Sequence, residues 1–198
     1  MKHQIILILA LLLVTAGCGP APTGVDAEIV SQAIKTQSAT AEATSGGFIS
    51  AKTVVDSRSG IVFDYPVNWT LLEPSADDAV IYTYSVASYD LSNPSSASQD
   101  GLPSGQTKID ISFYGADETP DSARRTVQSD VDSGMAIIEK EETRAASDGS
   151  AAYYYVIQGR LGGTAQVLYT QVNGHTVGVV AYGEGTHFDE VIKSLRAA

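Results

Sequence analysis

Cys18 is the only thiol in this chain of 198 residues, so no disulfide can close within it. Stability has to come from packing. Histidine is nearly as scarce. Beyond Cys18 only His175 and His187 remain, too few for the clustered His and Cys ligands of the common zinc patterns. Basic residues are outnumbered, 12 Lys and Arg against 23 Asp and Glu, for a formal charge of −11. A surface of that sign repels polyanions, which excludes nucleic acid as a partner. The apolar stretch Ile5 to Gly17 has 13 residues, well short of the roughly 20 that a membrane-crossing helix needs. Signatures of catalysis are missing as well: there is no G-x-S-x-G and no S-x-x-K, the arrangements that expose an activated serine. Gly159 and Gly162-Gly163 fall between strand-like runs and read as turns, not as a phosphate cradle. At Asp130 to Gly134 the glycine sits at the wrong step for a calcium loop. No catalytic residue, metal site or cofactor is therefore expected, although a Ser-His-acid triad assembled in space stays open.

What the chain does have begins at its first residues. Lys2 supplies a positive flank, an apolar run follows, and small residues close it, the layout of a secretory signal. Thr15-Ala16-Gly17-Cys18 resembles a bacterial lipobox, with Thr15 where that pattern usually has leucine. The resemblance implies cleavage between Gly17 and Cys18, a diacylglyceryl thioether on the Cys18 sulfur and acylation of the new amino terminus. One chain holds only marginally and two suffice for stable anchoring, at about 0.8 kcal/mol per buried methylene. The expected product is a lipoprotein tied to a membrane through Cys18, facing the cell exterior or the periplasm. A plain secretory signal and an uncleaved anchor are the alternatives. Loss of residues 1–17, which carry Lys2 and no acid, takes the formal charge from −11 to −12.

From Cys18 to about residue 47 the sequence is rich in Ala, Ser, Thr, Gly and Pro and has no aromatic residue, which reads as a flexible tether with a short helical pattern at Ile29 to Ile34. A globular domain is expected over 48–198. Thr53-Val54-Val55 and Ile61 to Pro66 flank a turn at Ser57 to Gly60 and predict a hairpin that Pro66 ends. Alternation predicts strands over Asp78 to Ser88 and Thr107 to Tyr114, separated by a long polar loop from Tyr89 to Gln106. Thr119-Pro120-Asp121 opens a helix over 120–132 with Ala123, Val127 and Val131 on one stripe. A meander follows: Met135 to Arg144, Ala152 to Arg160, Thr164 to Val172 and His175 to Tyr182, the last two joined by Asn173-Gly174. Thr186 then caps a final helix with Phe188, Val191, Ile192 and Leu195 on one face. In Tyr153-Tyr154-Tyr155 the faces alternate, which predicts core rings plus one exposed ring.

The region from about 50 to 196 resembles the PsbP-like domain, through Gly60, Phe63, Tyr65, Pro66 and Trp69 in the order G-x-x-F-x-Y-P-x-x-W and through the closing helix. The resemblance implies an α+β fold, a central and largely antiparallel sheet of about six to seven strands with helices on its faces. It brings no shared catalytic set with it, and each of the five residues also has a structural use, a turn, a strand end or core. Function is expected at the level of a lipid-anchored, extracytoplasmic and non-enzymatic module for an unknown protein or small-molecule partner. The alternative is an extracytoplasmic hydrolase whose site is built by loops such as 88–106, with a histidine or carboxylate in a cleft. Short acidic runs such as Glu139 to Glu142 read as solvated faces.

Overall fold

A computed structural model of the chain describes residues 48–75, 81–92, 102, 104–115, 117–146, 149–160 and 163–198. The expected signal, tether and Ile29 to Ile34 helix lie outside these residues, as does most of the 89–106 loop.

The first hairpin forms as its turn chemistry dictates: β1 (Ala51–Asp56) and β2 (Ile61–Pro66) pair antiparallel, Val54 opposite Phe63. Every residue of β2 is buried. A short strand, β10 (Arg196–Ala197), pairs with its other edge, so these three make a sheet of their own. The expected antiparallel sheet of about six to seven strands is present with seven, and this second, smaller sheet is the addition to it. A strand buried on both faces needs cover on both, and the hairpin obtains it by lying apart from the larger sheet.

That larger sheet has seven strands: β3 (Thr70–Leu72), β4 (Tyr82–Ala87), β5 (Thr107–Phe113), β6 (Ala136–Ala145), β7 (Ala151–Gly159), β8 (Thr164–Val172) and β9 (His175–Gly183). Their order is β3-β4-β5-β9-β8-β7-β6, all neighbours antiparallel. β6 to β9 is the meander, and Asn173 (φ 49°) with Gly174 (φ 77°) makes the tight turn between β8 and β9. β3 and β10 are too short to show a period and carried no sequence signal.

The pleat gives this sheet two apolar faces. One face carries Ile109, Ile111, Phe113, Val177 and Val179, all fully buried, and it packs with Phe63 of β2 and with Phe188 and Val191 of α3 (Phe188–Ser194). Each such side chain contributes roughly 1.5–3 kcal/mol on burial. The other face buries Tyr155, Val167 and Tyr169 under Ala123 and Val127. The expected 120–132 helix is in fact two, α1 (Pro120–Ala123) and α2 (Arg125–Asp132). Thr119 caps α1 with a reciprocal bond to Ser122. The Arg124 carbonyl starts a new turn, accepting from the Val127 and Gln128 amides at 3.1 and 3.4 Å.

Two further expectations are corrected. Thr186 does not cap α3. Its amide donates to Thr107 Oγ1 (3.2 Å), and His187 takes the cap position with left-handed backbone (φ 66°) and no side-chain capping bond. The tyrosine run leaves no ring exposed: Tyr154 points to the α3 side, Tyr155 to the α2 side, and Tyr153 is half-buried.

Candidate functional site

The five motif residues sit in and around β2. Gly60 closes the hairpin turn at φ 65°, and a Cβ there would stand 3.1 Å from the Asn173 amide nitrogen, which donates to the Ser59 carbonyl. Glycine is the residue that meets both demands. Phe63, Tyr65 and Trp69 are 0, 5 and 6% exposed, and the Pro66 carbonyl accepts from the Trp69 amide at 3.0 Å. Gly17 and Cys18 lie outside the described residues.

Neither histidine meets a catalytic partner among the described residues. His175 opens β9 opposite Val172. The His187 ring packs between Phe48 and Trp69, with centroids 5.4 and 5.7 Å away. Its Nδ1 is buried, hydrogen-bonds to no described group and lies 3.9 Å from Glu190 Oε1.

Two buried carboxylates hold elements together. Asp56, 2% exposed, accepts from the Ser59 amide (2.8 Å), the Ser59 hydroxyl (2.5 Å), Tyr82 (2.6 Å) and Tyr84 (3.0 Å). Burial pushes its pKa up, yet the Ser59 and tyrosine hydrogen bonds together outweigh it and hold the carboxyl below its usual range. Tyr82 is pushed up to about 12, first by burial and then by the Asp56 charge it serves. Asp64, 1% exposed, accepts from Thr53 (2.7 Å) and from both terminal nitrogens of Arg196 (3.0 and 3.3 Å). Every oxygen of both acids is engaged, which leaves neither free to accept a substrate proton.

Open space of the right kind lies elsewhere. Beneath the last turn of α3 is a cavity of about 310 Å³, at the small end of the 300–1,000 Å³ that ligand sites occupy. Ala152 of β7 and Ala146, just beyond β6, leave room for it by their small side chains, and Ala145 borders it. Leu168, Val172, Ile192 and Leu195 complete the apolar part of the lining, Thr170 adds one hydroxyl, and the charged lining residues are Arg144 and Lys193, both cations. Arg144 is fixed in place: its guanidinium lies 3.5 Å from the Tyr154 ring centre, 3.1 Å from Glu142 and 3.6 Å from Asp189. A smaller space of about 170 Å³ opens beside α2 at Arg124, Arg125 and Tyr155. The sequence marks Ile192, Leu195 and Tyr155 as packing residues and assigns none of the lining a binding role. The signal that could have found the larger cavity is alanine, a poor strand former, recurring on both sides of the β6–β7 turn. No cluster of three His, Cys, Asp or Glu able to hold a metal occurs among the described residues.

Comparison with known proteins gives no matching family model and no matching curated protein. Among solved structures the chain is similar to cyanobacterial PsbP (CyanoP) from Synechocystis sp. PCC 6803, determined in solution. The identity is 18%, the alignment covers 77% of this chain and 95% of that one, and the TM-score is 0.49.

Proposed function

We propose that this protein is a lipid-anchored, extracytoplasmic binding module that works without catalysing a reaction, tied to the outer face of a bacterial membrane through Cys18 and taking a small ligand in the cavity beneath α3. The cavity carries the binding half of this reading. Its lining is apolar apart from Thr170, Arg144 and Lys193 and holds neither histidine nor carboxylate, so it offers a place to sit and no general base. The acids that are withdrawn from water, Asp56 and Asp64, are used up as pins between elements. The anchoring half rests on the position of the single cysteine directly after the apolar leader.

Metabolic labelling with a fatty-acid analogue, followed by mass spectrometry of the processed chain, tests the anchor. The expected result is label on the wild type, none on Cys18→Ala, and a new amino terminus at residue 18. An unmodified thiol, or the leader still attached, overturns it.

A further inference from the structure

We propose that the cavity beneath α3 selects a small amphipathic carboxylate, its alkyl body among Ala152, Leu168 and Val172 and its carboxylate on Lys193. The inference rests on the cavity being the ligand site and adds the chemistry of the ligand. Three observations carry it. Apart from Thr170 the walls are made of alanine and aliphatic side chains, and one hydroxyl is too few to satisfy a sugar or nucleotide, so they favour an unbranched hydrocarbon. The charged lining residues are both positive in a chain whose formal charge is −11, so the lining itself presents cations and no carboxylate to a ligand. The two cations are not equivalent. Arg144 already faces Glu142 and Asp189, whereas Lys193 forms no ion pair among the described residues and is exposed. Its ammonium is the group left to receive a ligand anion. The carbonyl end of α3 opposes an anion at the same mouth, but that partial charge belongs to a helix of seven residues and is weaker than one charge-assisted hydrogen bond.

The test uses the full chain in nanodiscs, with alanine methyl groups labelled for NMR and with empty nanodiscs as the reference for partitioning. Hexanoate is titrated against 1-hexanol, which has the same body without the charge. Saturable shifts of the Ala145, Ala146 and Ala152 methyl signals are expected with hexanoate. Lys193→Gln is expected to weaken hexanoate about tenfold and to leave 1-hexanol unchanged. Ala152→Leu fills the space, and it is expected to abolish both while the remaining methyl signals keep their dispersion. If 1-hexanol binds as tightly as hexanoate and Lys193→Gln changes neither, the carboxylate preference is overturned and the cavity remains a ligand site. If neither compound shifts these signals in the wild type, the preference and the binding reading fall together.

Discussion

The Tyr82 hydroxyl donates to Asp56 Oδ2 at 2.6 Å and thereby ties the first hairpin to β4, near the edge of the larger sheet. Residues 26 positions apart in sequence meet on a carboxylate that is withdrawn from water. Tyr82 is held from its other sides by Phe113, stacked at 5.2 Å, and by the Arg58 guanidinium, 4.7 Å from its ring centre.

Removing that hydroxyl should therefore cost more than a surface hydrogen bond. Tyr82→Phe is expected to lower unfolding free energy by about 1.5–3 kcal/mol, the range for a bond to a charged group. Asp56→Asn is expected to cost more, because it removes the charge and turns an NH2 group toward donors on one side, either Tyr84 or Ser59 with Tyr82. The double variant should lose less than the sum of the two, since both act on one network. Urea titrations of all three against the wild type measure this.

The same cluster sets how stability responds to pH. Asp56 has its folded pKa below the usual carboxylate value, so its contribution is fully present above about pH 4 and is lost as pH falls through the depressed pKa. Tyr82, raised to about 12, keeps its proton in the folded state while the unfolded chain releases one near pH 10. Stability should decline between about pH 10 and 12. Asp56→Asn is expected to flatten the acid limb, and Tyr82→Phe to weaken the alkaline one, in urea midpoints measured across the series.

Arg196, two residues from the end of the described chain, supplies the counter-charge of buried Asp64. Arg196→Ala leaves that carboxylate with Thr53 as its remaining side-chain donor. The Arg196 side chain is 42% exposed, so water replaces part of what is lost. The expected cost is roughly 2 kcal/mol. Arg196→Lys should recover less than half of it, because an ammonium cannot reproduce the two-nitrogen grip. Thermal unfolding of the two variants checks the ranking.

Phe48 is 5% exposed and packs on His187, whose other side lies against Trp69. Phe48→Ala is expected to destabilise by about 3 kcal/mol and, by loosening the His187 ring that packs on the single tryptophan, to shift Trp69 emission to the red. Unchanged emission would mean that Phe48 does not hold that ring in place.

The legible parts of the fold share a property: their signal is local. Ile109, Ile111 and Phe113 alternate, Asn173-Gly174 accepts positive φ at both positions, and Thr119-Pro120 opens a helix by its own chemistry. The break at Arg124 was hidden because the apolar spacing of Ala123 and Val127 continues across it. The left-handed His187 was hidden for a related reason: Thr186 is a good cap by composition, yet its amide is drawn to Thr107, 79 positions away in sequence. Of the candidate site almost nothing was readable. Alanines at 145, 146 and 152 describe an empty volume, and a void has no residue type of its own.

By itself the sequence determined where the strands and turns of the β6–β9 meander fall, that no disulfide closes within the chain, and that its surface is acidic, because each follows from the kind of residue present and its immediate neighbours. The tertiary structure alone decided that the first hairpin would leave the main sheet to pair with β10, that Asp56 would find Tyr82, and that a space with two lining cations would open beneath α3. Those outcomes depend on which side chains meet across tens of residues, and that choice is made by burial and hydrogen-bond satisfaction over the whole domain.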